Sequence, residues 1–186
     1  SASSTHIIDG VRFFIYTVKP ESNGRFKNFR LRSTPIYDAF FKSLGAEPVR
    51  MSPPDLYTAL ERNTVDGYGC PLWGVTDLGW HKHTKYRYGP GFFSAVVNIL
   101  VNFDRWNNLL ESQRQCLTEM SIWLEGEFPK WRIIENEEQV AAQKTAGITY
   151  VDLGAEFSNL AHQIHRDALM KANPVTISAL RTLLVH

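Results

Sequence analysis

Two arginines, Arg12 and Arg32, are the residues of this sequence whose chemistry points most directly to a ligand. Arg12 lies in a run rich in β-branched and aromatic residues, and Arg32 lies in the run 26–33, where Phe29 and Leu31 alternate with the arginines. Both patterns predict strands that hold each side chain on stiff backbone. A guanidinium keeps its proton at neutral pH and offers a planar fork of donors that matches a carboxylate. The pattern therefore favours Arg32, assisted by Arg12, as a carboxylate clamp. For Arg12 a structural ion pair with Asp9 is the alternative.

A glycine-rich segment at 66–71 and the aromatic residues that follow it supply further candidates. We expect four of these residues to line a ligand cleft: Tyr68, Cys70, Trp73 and Phe93. Tyr68 would contribute a hydroxyl, Cys70 a small cleft wall, and the two larger rings an apolar surface. Ordinary core packing is the alternative for each ring.

Cysteine and histidine chemistry gives a second interpretation, a hydrolase or lyase in which Cys70 acts as a nucleophile with His81 or His83 as its base. No known signature surrounds these residues, so we expect no enzymatic activity. The two histidines, spaced i and i+2, cannot converge on a helix, and on a strand they lack acidic or thiolate partners. We therefore expect neither a metal site nor a cofactor.

Composition excludes several classes of protein. The chain has 186 residues with a net charge of +1, so no overall field would attract nucleic acid or an anionic membrane. It contains two cysteines, without zinc-like spacing, and no apolar run long enough to span a bilayer. The first residues lack the regions of a signal peptide and read as a cut end.

Strand and helix patterns alternate along the chain, which is typical of α/β layers. The apolar run at 96–102 predicts a strand covered on both faces, and Pro129 should kink or split the helix that contains it. Predicted strands lie at 6–19, 26–33, 47–51, 86–102 and 148–153, and predicted helices at 35–45, 71–80, 104–147, 156–171 and 175–185, with one more opening at 52–55.

Several motifs resemble those of one family, in order and in approximate spacing. They are FKNFRLR at 26–32, PIY at 35–37, LGA at 44–46, VDG at 65–67 and NILVN at 98–102. The pattern resembles the DctP-like solute-binding proteins of tripartite ATP-independent periplasmic (TRAP) transporters. The resemblance implies a type II-like periplasmic binding protein fold. Residues 6–90 would form one ligand-binding lobe, 91–147 a returning strand and a long hinge-spanning helix, and 148–186 a final strand and C-terminal helices.

The same resemblance implies a receptor that captures an organic acid in the periplasm and delivers it to a membrane permease. Arg32 matches the family's carboxylate-binding arginine, Arg12 follows Gly10 as an assisting arginine does, and Cys70 departs from the usual Asn or Trp. Residues 91–95 lack the carboxylate that binds a metal in some members. The first lobe is absent from the chain, so we also consider a fragment that binds nothing and self-associates through exposed apolar surfaces.

Overall fold

The computed structural model describes residues 2–22 and 24–175, with side chains described from Gly10 onward. Except for Val175, the predicted helix at 175–185 lies outside the described residues, as does the side chain of Asp9. The strands are β1 (Ala2–Thr17), β2 (Arg30–Ser33), β3 (Glu47–Arg50), β4 (Gly67–Pro71), β5 (Tyr86–Asn102) and β6 (Thr149–Asp152). The helices are α1 (Asp38–Ser43), α2 (Pro53–Glu61), α3 (Phe103–Asn107), α4 (Glu111–Thr145) and α5 (Ala155–Ala172).

These strands form one six-stranded mixed sheet in the order β3-β2-β4-β1-β5-β6. The α/β class predicted from sequence is confirmed, and segments 6–90, 91–147 and 148–186 all contribute strand residues to this sheet. The proposed division at those boundaries stays a prediction.

Each face of the sheet carries its own hydrophobic core because neighbouring side chains on a strand point to opposite sides. Ile15 and Leu31 belong to the first core, which α1 and α5 cover with Phe40 and Phe157. The neighbouring Tyr16 belongs to the second core. That second core also contains residues from α2, β4 and the 3-10 helix Trp80–Lys82, namely Leu56, Leu60, Tyr68, Cys70 and Trp80.

The carboxyl ends of three parallel strands meet at one edge of the sheet. Strand β2 pairs in parallel with both β3 and β4, with Arg32 opposite Val49 and Tyr68. Strand β1 runs antiparallel to β4, so Phe13 lies beside Pro71 at the same edge. Ligands of open α/β sheets bind outside such carboxyl ends. We name this the carboxyl edge.

The apolar run at 96–102 forms a strand, as predicted. The prediction that both of its faces are covered is wrong. Its residues pair with the first residues of β1, from Ala2 opposite Asn102 onward. Val96 and Leu100 are nevertheless 49% and 67% exposed. This part of β5 extends beyond the helices that cover the sheet, so within the described residues its apolar side chains meet solvent.

The long helical region also differs from its prediction, because two helices, α3 and α4, replace one. Helix α4 continues past Pro129 without a break, since a single missing N–H leaves the rest of a 35-residue helix bonded. Within the described residues, no helix is long and apolar enough to cross a membrane. Several large apolar residues of α4 are exposed, including Leu117, Ile122, Trp123, Trp131 and Ile133. Self-association through such surfaces stays a prediction.

The prediction of a helix at 71–80 is wrong. Strand β4 ends at Pro71, turns follow, and the only helical piece at its end is the 3-10 helix. Gly74 and Gly79 have φ of +87° and +72°, a left-handed conformation that interrupts an α-helix. Leu72 and Val75 of this segment are buried although it forms no α-helix.

Asp66 joins three segments of the sheet, and we expect its replacement by asparagine to destabilise the fold. Its Oδ1 accepts from Lys19 Nζ at 2.8 Å, and its Oδ2 accepts from the backbone N–H of Arg30 at 2.9 Å. Although burial raises the pKa of Asp66, these hydrogen bonds lower it below its ordinary 3.8. The carboxylate therefore stabilises the fold fully above pH 3.8 and progressively less as pH falls through the lower folded value.

Asp66→Asn should lower the free energy of unfolding by about 1–3 kcal/mol at pH 7, and by less at pH 3. Urea denaturation at both pH values measures this difference. An equal loss at pH 7 and pH 3 would show that the charge of Asp66 is not what stabilises the fold.

Candidate functional site

Arg32 lies at the carboxyl edge with its charge uncompensated by the described residues. It alternates with Leu31, so its side chain is on the face of the second core, and it is only 8% exposed. Its Nε donates to the carbonyl oxygen of Met51 at 3.2 Å. In the described part of the chain no carboxylate pairs with it, and its terminal nitrogens have no hydrogen-bond partner. Buried cations normally have a counter-charge, so this one is available to an anionic ligand.

Arg30, two residues earlier on the same strand, shows the contrast. Its Nε donates to Asp66 Oδ2 at 3.1 Å and its Nη2 donates to the carbonyl oxygen of Asn63 at 2.7 Å. Arg30 is thus held by the protein, whereas Arg32 presents its terminal nitrogens without a partner.

Two titratable side chains that interact electrostatically with Arg32, Tyr37 and Cys70, are neutral at pH 7. Burial raises the pKa of Tyr37, and Arg32 lowers it only in part. Burial also raises the pKa of the Cys70 thiol to about 12, again against the influence of Arg32. Neither group is an anion at neutral pH, so neither neutralises the guanidinium.

The Cys70 thiol is therefore protonated at neutral pH and is not poised for nucleophilic attack, which requires the thiolate. It is buried, whereas Cys116 is exposed. We expect iodoacetamide at pH 8 to alkylate Cys116 and to leave Cys70 unmodified in the folded protein. Peptide mass spectrometry measures both, with urea-unfolded protein as the control in which both cysteines react. Faster labelling of Cys70 than of Cys116 in the folded chain would contradict this assignment.

Arg12 opens onto a cavity of about 310 Å³ between β1 and α4. It is exposed, and its strand pairs it with Ser94 at the carboxyl edge. Two residues of α4, Arg132 and Asn136, line the same cavity together with Gly10 and Leu72. Sequence reasoning missed both α4 residues, although their i, i+4 spacing places them on one helix face. Two guanidiniums therefore line one small cavity.

Trp73 lies in the turn after β4, where it joins that turn to α4. Its Nε1 donates to Asn136 Oδ1 at 2.7 Å, and its ring meets Phe128 edge-on at 6.0 Å. Trp73 thereby holds Asn136 beside the cavity of Arg12. It is a positioning residue for that cavity.

The structure places Phe93 on the face of the sheet opposite Arg32 and Cys70, whereas Tyr68 lies beside Arg32 and shares the second core with Cys70. Phe93 packs against the first core, with its ring 5.4 Å from that of Phe13, whereas Cys70 is in the second core. Tyr68 is fully buried, and its hydroxyl is 2.8 Å from that of Thr84. Tyr68 is thus enclosed by the core and Phe93 is half-buried, and contact of either residue with a ligand stays a prediction.

No group of three or more histidine, cysteine or acidic side chains that could hold a metal ion occurs among the described residues. His83 instead packs edge-on against Tyr57, at 5.0 Å between ring centres. Packing against Tyr57 therefore accounts for His83.

The chain matches the family model DctP, "bacterial extracellular solute-binding protein, family 7", over residues 16–172. Among curated proteins it is similar to the 2,3-diketo-L-gulonate-binding periplasmic protein YiaO of Escherichia coli, with 25% identity over 161 residues. That match covers 84% of this chain and 48% of YiaO. The chain thus spans about half the length of this curated relative.

Solved structures of TRAP periplasmic solute-binding proteins share the fold. One from Desulfovibrio salexigens, with bound orotic acid, gives a TM-score of 0.80 at 21% identity, covering 98% of this chain and 60% of that one. One from Pseudomonas putida, with bound D-glucuronate, gives 0.80 at 16% identity, covering 100% and 61%. The expected periplasmic binding protein-like fold is confirmed. By its sequence match, this chain belongs to the DctP family of bacterial extracellular solute-binding proteins, which bind solutes and do not catalyse reactions.

Proposed function

We propose that this chain supplies the carboxylate-gripping part of a receptor for a small organic acid. The observation that carries the proposal is Arg32, which is buried at the carboxyl edge and has no carboxylate partner among the described residues. A bidentate pair of charge-assisted hydrogen bonds from its terminal nitrogens would bind a carboxylate and discriminate against neutral analogues.

The cavity beside Arg12 extends the proposed site. Strand β1 carries Arg12 at the same edge, and α4 brings Arg132 and Asn136 to line the cavity with it. The side chains of Arg12 and Asn136 can donate hydrogen bonds to the hydroxyl or oxo groups of an acid whose carboxylate lies on Arg32. Cys70 contributes an apolar wall because its thiol stays protonated.

Delivery to a membrane permease in the periplasm is the biological role that we propose for the whole receptor. YiaO is a periplasmic protein by name, and the structural relatives are TRAP receptors that hold organic acids. In such a receptor the bound acid would stabilise a closed form, and the permease would distinguish closed from open. The chain itself would carry out no chemistry.

A thermal denaturation screen with a library of small organic acids tests the proposal. The library includes orotate and D-glucuronate, and each acid is paired with its neutral amide or ester. We expect at least one acid, at about 100 times its Kd, to raise Tm by about 5 °C or more, while its neutral partner does not. Equal stabilisation by acid and neutral partner, or none by any acid, would reject carboxylate capture.

A further inference from the structure

Arg87 of β5 is a second buried arginine whose charge the described residues leave uncompensated. It is 8% exposed, and its Nη1 donates to Gln143 Oε1 at 2.8 Å. Its Nε is sealed from solvent and has no hydrogen-bond partner. In the described part of the chain no carboxylate forms an ion pair with it. A buried donor without a partner is costly and calls for an explanation.

The surroundings of Arg87 hold it in place and leave its charge intact. Its guanidinium lies 5.3 Å from the ring centre of Phe14 and 4.9 Å from that of Tyr150. Burial raises the pKa of the neighbouring Tyr16, so that hydroxyl stays neutral. Asp152, on the same face of β6 as Tyr150, uses its Oδ1 to accept from the backbone N–H of Gly154 at 2.9 Å.

Gln143 fixes the orientation of the guanidinium. Its Nε2 donates to the carbonyl oxygen of Leu72 at 2.8 Å, which directs its Oε1 toward Arg87. Gln143 is 1% exposed, so this amide is part of the protein interior. Arg87 is consequently preorganised without any acidic residue taking part.

A cavity of about 420 Å³ opens beside this group, between the end of α4 and β6. Its lining combines the buried Arg87 and Gln143 with the exposed Lys144, Thr149 and Tyr150. The volume suits a small ligand. Two cations and two hydroxyl groups around an apolar floor favour an oxyanion.

This cavity is separate from the carboxyl edge. Strand register places Arg32 beside Tyr68, Tyr68 beside Tyr16, and Tyr16 beside Arg87. Three strand spacings of about 4.8 Å put the two arginine backbones about 14 Å apart. The lining of the Arg87 cavity contains no residue of β2, β3 or β4, and the stacked, fully buried rings of Tyr16 and Tyr68 belong to the residues between the two arginines.

We propose that the cavity of Arg87 is a second anion-binding site, for a small oxyanion such as a carboxylate or phosphate group. The anion would accept from Nη2 of Arg87, which makes no hydrogen bond within the described residues, and Lys144 would add charge attraction at the entrance. This site is independent of the acid proposed for Arg32.

Nuclear magnetic resonance of the arginine Nε–H groups tests the proposal on the 186-residue chain. Arg87→Gln assigns the signal by its loss. Sodium phosphate and sodium acetate are titrated separately at constant ionic strength, and we expect at least one to shift the Arg87 signal saturably. The anion that saturates identifies the chemistry. The absence of a saturable shift with both would overturn the proposal.

Two variants distinguish anion binding at Arg87 from a general effect of salt and from binding at Arg32. Lys144→Gln, an exposed change, should weaken the fitted Kd about threefold while the chain stays folded. Arg32→Gln should leave that Kd unchanged. A titration unaffected by Lys144→Gln, or abolished by Arg32→Gln, would place the binding elsewhere and contradict the assignment.

Discussion

Replacing Arg32 with alanine is expected to weaken the binding of the acid found in the thermal screen by at least about 100-fold. Each hydrogen bond to a charged group contributes about 1.5–3 kcal/mol, and a bidentate pair loses two of them. The bound carboxylate would also lie in a half-buried site without its counter-charge. Isothermal titration calorimetry measures the affinities of wild type and variant directly.

Arg30→Gln is the matched control, because Arg30 lies on the same strand but is held by Asp66 and Asn63. It should change stability and leave the affinity for the acid within about twofold of wild type. Arg32→Lys keeps the charge and loses the planar fork, so its affinity should fall between those of wild type and Arg32→Ala. Equal affinities in wild type and Arg32→Ala would remove Arg32 from the site.

Gly67→Ala is expected to cause the largest loss of stability among single substitutions that avoid the ligand. A Cβ at position 67 would collide with the backbone carbonyl oxygen of Tyr16 and would stand 3.0 Å from a methyl group of Leu31. Backbone in the centre of a sheet cannot move aside without breaking strand pairing. We expect the free energy of unfolding to fall by about 3 kcal/mol or more.

Gly126→Ala makes the same chemical change, but we expect it to stabilise the fold. Gly126 lies in α4, and a Cβ there meets no atom within 4 Å among the described residues. Alanine favours a helix, so this variant should gain up to about 1 kcal/mol. Urea denaturation of both variants measures the contrast, and similar stabilities would contradict the packing described around β4.

Local patterns predicted the parts of the fold in which local and tertiary preferences agree. The alternation of Leu31 and Arg32 places one in the first core and the other on the opposite face, as period 2 requires. The strand pattern at 86–102 and the helical pattern at 156–171 also predicted elements close to those observed. Tertiary contacts support these elements and do not oppose them.

The sequence did not predict which residues would meet across long distances along the chain. The apolar pattern at 71–80 arises from residues buried by different turns, and the glycines among them prevent a helix. Arg132 joins Arg12 only because α4 crosses β1, and Arg87 becomes a candidate only through its missing partner. Tyr68 lies in the segment expected to contact ligand, yet its side chain points into the core. Pairing across the sheet and the packing of α4 decided the placement of Arg132, Arg87 and Tyr68, and no local pattern encodes these contacts.

A crystal structure of this chain with the acid that gives the largest thermal shift tests the central claim most directly. We predict a carboxylate whose two oxygens lie about 2.7–2.9 Å from guanidinium nitrogens of Arg32, at the carboxyl ends of β2, β3 and β4. An acid bound away from Arg32, or an Arg32 guanidinium paired instead with a carboxylate of the protein, would contradict the account.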